Sequence, residues 1–188
     1  MKRSAGRQVT RTKLALREAL LELIARKGYD RITVQELVER ADVGRATFYS
    51  HYADKDAVLR ENLAALSERI RAQVKEAGTA SGSTAIAFSL PMLEHVAEVK
   101  PMFTALLGRR GSPTVRQLFL DILSDLIAEG LRDKGAGLPA PPSAVVQFLA
   151  AGFLAIARWW VVEAPQRSAR EVHDIYVRLA APSLERAR

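Results

Sequence analysis

Apolar residues recur along this chain at helical spacing, and no run alternates polar with apolar long enough to predict a strand. Leu16, Ala19, Leu20, Leu23 and Ile24 make the first stripe, and Gly28 is placed to end it in the left-handed conformation that glycine adopts without strain. A second, shorter stripe runs through Val34, Leu37, Val38 and Ala41. Its start signal is complete: Thr33 can cap the helix, Glu36 can reach back to the cap, and Ile32 can staple onto Leu37. Glu39 and Arg40 fall on the water side, so this helix reads as a support. Asp42, Val43 and Gly44 break the pattern over a turn short enough to set two helices at a steep angle, and Gly44 can open the next. From Arg45 to Tyr52, RATFYSHY puts Phe48 and Tyr52 on one face and leaves Arg45, Thr47, Tyr49 and His51 on the others. Asp54 then caps a fourth helix whose apolar side carries Val58, Leu59, Leu63, Leu66 and Ile70, running to about Val74.

Residues 78–84 are rich in Gly, Ser and Thr and read as a linker. Beyond it the pattern predicts helices over 83–99 and 101–107, and one opened by Ser112 with Pro113 in its first turn. GLPAPPS at 137–143 makes a stiff break. Two long helices follow, 143–163 and 168–181, the second with a capping box in Ser168 and Glu171 and a stop at Pro182. Ala151, Gly152 and Ala155 let another helix come close to the penultimate one. Val172, Ile175, Tyr176 and Leu179 on the last helix can bury internally or face a second subunit. No internal repeat is present, and the fold class is all-α.

Composition narrows the picture. With 188 residues and 48% hydrophobic content the chain can bury a full core. Its formal charge of +7 is uneven: residues 1–55 hold 12 Lys/Arg against 7 Asp/Glu, and residues 56–188 hold 16 against 14. A local basic excess suits a phosphate backbone, though ordinary solvated surfaces carry such excesses too. The acid-free run of Lys2, Arg3, Arg7, Arg11 and Lys13 reads either as a frayed solvated tail or as an arm adding salt-dependent affinity. Cysteine is absent, which excludes disulfides, zinc thiolates and a cysteine nucleophile. The basic start leads into a helix bearing Arg17, Glu18 and Glu22, not an export signal, so a cytoplasmic location is expected. Gln147 and Arg158 interrupt the apolar run from Ala144 to Val162, which reads as a buried helix with no membrane role.

The two short helices around Gly44 form a helix-turn-helix. Ala46 and Thr47 are small enough for the second helix to approach a major-groove floor, where their methyl groups can meet thymine. Arg45 can take guanine O6 and N7 together. Thr33, Tyr49, His51 and Lys55 supply donors suited to phosphates, which fix register and not sequence. No catalytic residue is expected: GxSxG, P-loop, dinucleotide and HExxH patterns are missing, and 3 scattered histidines give no dyad. His95 between Glu94 and Glu98 reads as a solvated surface residue, His173 shows no partner, and neither a metal nor a cofactor is expected. Trp159 and Trp160 point about 100° apart, so one of them is expected in the core. Phe88, Met92, Met102, Phe103, Phe119, Phe148 and Phe153 either fill the core or line an apolar cavity. Phe88, Met92, Phe103, Phe119 and Phe148, with Trp159, are the candidate ligand-binding set.

The segments ADVG, TFYSHY and DKDAVL resemble the DNA-binding domain of TetR-family transcriptional regulators, over roughly the first third of the chain. Two positions depart from that pattern. Gly44 stands where the family usually has Ser, removing an oxygen from the cap, and Tyr52 replaces the usual Phe. The resemblance implies a DNA-binding domain at residues 1–54 and a helical regulatory and dimerisation domain at 55–188. It further implies a homodimer paired through the last two helices on double-stranded operator DNA. A repressor released by a small apolar or amphipathic effector fits it best. A nucleic-acid-binding module without effector control, and a helical enzyme with an incidental basic helix, are the alternatives.

Overall fold

The computed structural model describes residues 2–78, 84–107, 111–132 and 138–185. Among them the chain forms nine α-helices and no strand: α1 (Lys2–Lys27), α2 (Val34–Ala41), α3 (Arg45–His51), α4 (Lys55–Ala77), α5 (Ser89–Glu98), α6 (Lys100–Leu107), α7 (Pro113–Leu131), α8 (Pro142–Glu163) and α9 (Ala169–Ala180). Helix starts fall where side-chain caps were foreseen. Thr33, Asp54, Ser112 and Ser168 each accept a hydrogen bond from an amide of the first turn.

The departures lie at helix ends. The basic run, read as either a frayed tail or an arm, is helical, because Lys, Arg, Ala and Gln favour helix and carry α1 back to Lys2. Arg7 and Arg11 are exposed; the side chains of Lys2 and Arg3 lie outside the described residues. Gly28 does have a positive φ of 78°, but its ψ of 155° is extended, and the chain passes into a 3-10 turn at Tyr29–Arg31. The left-handed residue is Asp42, at φ 52° and ψ 47°, which ends α2 with its N–H directed to the carbonyls of Val38 and Glu39. Most of the linker foreseen at 78–84 lies outside the described residues. A 3-10 turn at Thr84–Ile86 follows, so α5 begins only at Ser89. At Pro182 the expected stop holds: α9 ends at Ala180, and only a 3-10 turn carries on to Leu184.

One continuous apolar cluster makes the interior, with an N-terminal and a C-terminal end. Leu16, Leu20, Ile24, Leu37, Phe48, Val58 and Leu59 close the N-terminal helices, where α1 packs on α2 and α4. Met92, Leu93, Leu123, Ile127, Phe153 and Trp160 fill the C-terminal part, where α7 packs on α8 and α5 on α9. Each such side chain contributes about 1.5–3 kcal/mol by leaving water. Helix α4 serves both parts: Val58 and Leu59 are buried near its start and Ile70 further on, and it packs on α7. There the Arg71 guanidinium forks onto both Glu129 carboxylate oxygens at 2.8 Å.

Helix α8 corrects the expectation of a fully buried helix. Leu149, Phe153, Ala157 and Trp160 point inward, but Phe148 and Val162 stand 59% and 51% exposed, with Ala151 and Ala155 also exposed along the helix. It is the one described helix long and apolar enough to cross a membrane. Leu179 on α9 is 61% exposed.

Candidate nucleic-acid interface

Helix α2 starts on a full capping box: the Glu36 amide donates to Thr33 Oγ1 at 3.2 Å, and Glu36 Oε2 accepts from the Thr33 amide at 2.9 Å. Lys27 also pairs with Glu36. The Lys27 ammonium first, and the Thr33 amide next, lower the Glu36 pKa to about 2. Ile32 and Leu37 are buried as the staple requires. Helix α3 follows from Gly44, which caps it by backbone geometry alone, with φ −62° and ψ 143°. Phe48 is fully buried and Tyr52 nearly so, their ring centroids 5.9 Å apart. That pair fixes the roll of α3 about its axis. Arg45, Ala46, Thr47 and Tyr49 are therefore presented to solvent, and His51 is half-exposed.

The exposed groups are already arranged. The Arg45 guanidinium lies 5.7 Å from the centre of the Tyr49 ring. Its Nη1 donates to the side-chain carbonyl of Gln35 on α2 at 3.4 Å, and the Gln35 amide nitrogen donates to Glu39 at 2.5 Å. The sequence pattern missed Gln35. Its exposed place in the first turn of a capped helix was the available signal, but contact with Arg45 depends on the angle between α2 and α3.

Lys55 is not a free cation. Its ammonium donates to the carbonyls of Tyr29 and Ile32 at 3.0 and 2.8 Å and sits 4.5 Å from the Tyr29 ring centre. It thus serves the carbonyl end of the 3-10 turn before α2, while Tyr29 donates its phenol to Asp56. Burial first, and then Asp56, raise the Tyr29 pKa. The Tyr52 hydroxyl, which a Phe would lack, donates to Glu61 on α4 at 2.6 Å, and Lys13 on α1 donates to the same carboxylate at 2.9 Å. These two donors, Tyr52 ahead of Lys13, hold the Glu61 pKa below the usual carboxylate range. The end of α3 is thereby tied to α1 and α4.

The aromatic and methionine candidates of the C-terminal part do not converge. Phe88, Met92, Phe103 and Phe119 are buried; Phe103 packs edge-on against Phe119, and Phe88 packs against Phe153. Phe148 faces outward and Trp159 is half-buried, with Trp160 taking the core position. A cleft of about 390 Å³ opens between the end of α4, the start of α5 and α9, lined by Val74, Ile86, Leu90, Val177, Glu94 and His173 among others. Phe88 reaches a neighbouring groove of about 280 Å³ beside Arg71 and Glu129. The other five candidates line neither. His95 and His173 both have partners, against expectation. Arg69 of α4 donates to His95 Nδ1 at 2.7 Å, and Glu98 Oε2 lies 3.4 Å from the same nitrogen. Ser89 Oγ gives its one proton to the Ile86 carbonyl and so accepts from His173 Nδ1 at 2.8 Å. Burial lowers the pKa of both rings. Among the described residues no group of His, Asp and Glu is placed to hold a metal ion.

A buried aromatic pair beneath an exposed, basic short helix, set by a tight turn against a capped helix, is the geometry of a helix-turn-helix regulator. Residues 16–61 match the bacterial regulatory proteins of the tetR family, and residues 83–181 match the transcriptional regulator C-terminal region. The chain belongs to the TetR family of transcriptional regulators, which are transcription factors and not enzymes. A TetR transcriptional regulator from Streptococcus agalactiae superposes with a TM-score of 0.71 at 25% identity, over 99% of this chain and 100% of that one. The FadR repressor of Thermus thermophilus, solved with lauroyl-CoA, shares the fold with a TM-score of 0.63 at 23% identity, over 94% and 96% of the two chains. The fatty acid metabolism regulator of Bacillus subtilis is 26% identical over 127 residues, 61% of this chain and 66% of its own length. The match thus spans just under two thirds of that relative.

Proposed function

We propose that this chain is a repressor that binds operator DNA as a soluble, cytoplasmic homodimer and releases it when a small apolar or amphipathic effector binds its C-terminal part. The observation that carries the reading is the exposed row of Arg45, Ala46, Thr47 and Tyr49 standing on the buried pair Phe48 and Tyr52. Arg45 reads guanine, Ala46 and Thr47 meet base methyl groups, and Thr33, Tyr49 and His51 engage phosphates. Lys55 keeps two of its three N–H groups on the Tyr29 and Ile32 carbonyls and turns the third toward a phosphate, so it shapes the turn and joins the contact set together. The reading unit extends to Asp54, and α4 leads from it into the regulatory part. The exposed apolar residues of α8 and α9 pair two subunits, since a two-fold operator needs a two-fold reader. The cleft between α4, α5 and α9 is the effector site; its mixed walls suit an amphipath, and acyl compounds like that of the Thermus relative are the first probes.

Binding of the purified protein to duplex DNA from upstream of its own gene, in competition with unrelated duplex at fixed salt, tests the reading. Sequence preference is expected for the wild type. Arg45→Ala is expected to lose about tenfold of it or more, and Tyr49→Phe to weaken binding about equally for all sequences. Equal affinity of the wild type for every duplex, with a steep salt slope, would instead mark a non-specific nucleic-acid binder.

A further inference from the structure

We infer that Gln35 is a positioning residue for Arg45: its amide, on α2, and the Tyr49 ring, on α3, hold the guanidinium between them at the reading surface. The inference rests on Arg45 being a base reader. Glu39 accepts hydrogen bonds and has none to give, so the Gln35 amide nitrogen, 2.5 Å away, must face it. The Gln35 carbonyl is then turned toward Arg45, whose Nη1 donates to it at 3.4 Å. The Tyr49 ring centre lies 5.7 Å from the guanidinium carbon. Carboxylate, amide, guanidinium and ring thus form one chain across two helices. Arginine has five N–H donors in a fixed fork; with one directed to Gln35, enough remain to take guanine O6 and N7 as a pair. An exposed arginine without such contacts samples many rotamers and loses them all on docking. This one meets DNA already restricted, so α2 contributes to base choice without reaching a base.

The test begins with duplexes selected by the wild-type protein from a random library. Every single-pair variant of the selected sequence is then measured in competition, at fixed salt, against Arg45→Ala, Gln35→Met and Glu39→Gln. Arg45→Ala is expected to flatten discrimination about tenfold at one base pair of each half-site. Gln35→Met keeps the side-chain length without the amide and is expected to lose about threefold at that same pair. Glu39→Gln, which frees the amide to turn over, is expected to lose less, again at that pair. Other positions and the salt slope should not move, because no phosphate contact is removed. The double variant Arg45→Ala with Gln35→Met should discriminate no worse than Arg45→Ala alone. The inference is overturned if Gln35→Met acts at a different base pair, acts equally on all sequences, or changes nothing while Arg45→Ala does. If Arg45→Ala itself leaves every preference intact, the assignment of Arg45 as base reader fails and Gln35 has nothing to position.

Discussion

At Gly44 the backbone has values open to any L-residue, and a Cβ added there would meet Thr47 Oγ1 at 3.6 Å, an ordinary contact. Gly44→Ser would restore the missing cap oxygen and reduce the freedom of the unfolded chain. It is expected to add about 0.5–1 kcal/mol, read as a higher denaturant midpoint at unchanged slope. A lower midpoint would show that Thr47 cannot accommodate the side chain. Several residues at this site were legible in advance because their roles are local. RATFYSHY alone gave the buried and exposed faces of α3, and the Thr33 and Glu36 spacing gave the cap. Gln35, Lys55 and Tyr52 act instead through partners 9 to 26 positions away, on other elements. A stripe on one helix does not encode the angle at which the next one crosses it.

Between elements, the ring of His95 joins α5 to α4 through Arg69, and that of His173 joins α9 to Ser89 at the start of α5. Burial holds both pKa values below the ordinary 6.5. A lowered folded value means that the neutral form favours folding. The contribution is complete above pH 6.5 and fades as the pH falls through the folded pKa. Denaturant stability is therefore expected to drop between pH 7.5 and about 5.5, and to drop less in His95→Gln or His173→Gln. A flat profile in the wild type is the contrary result. The carboxylates held by ion pairs or hydrogen bonds, Glu36, Glu61 and Glu129, follow the same sign, but their window lies below their ordinary value of 4.5. The two histidine contacts were invisible in the sequence for the same reason as Gln35. The starts of α2, α4, α7 and α9 were visible because each carries its own side-chain cap, and the errors fell where tertiary packing and not a cap sets the boundary, as at Thr84–Ile86.

For the whole molecule, α8 is too apolar for the area that its own subunit covers. Phe148 at 59% and Leu179 at 61% exposure are the largest surplus on α8 and α9. Phe148→Asp is expected to shift the protein from dimer to monomer in sedimentation at micromolar concentration and to cut operator affinity in step, while leaving helix content unchanged. A monomeric wild type would remove the basis for this expectation. Helix α4 adds a geometric consequence. From the Arg71 fork to Lys55 it runs 16 residues, about 24 Å at 1.5 Å per residue. Hinged at that fork, a tilt of about 5° swings the far end by about 2 Å, a sizeable part of the ~3.4 Å step between base pairs. A ligand that pushed the short end of α4, Val74 to Ala77 beside the cleft, outward by a fraction of an ångström would thus be magnified into a misfit with DNA, because that end lies beyond the fork and the DNA-facing arm is several times longer.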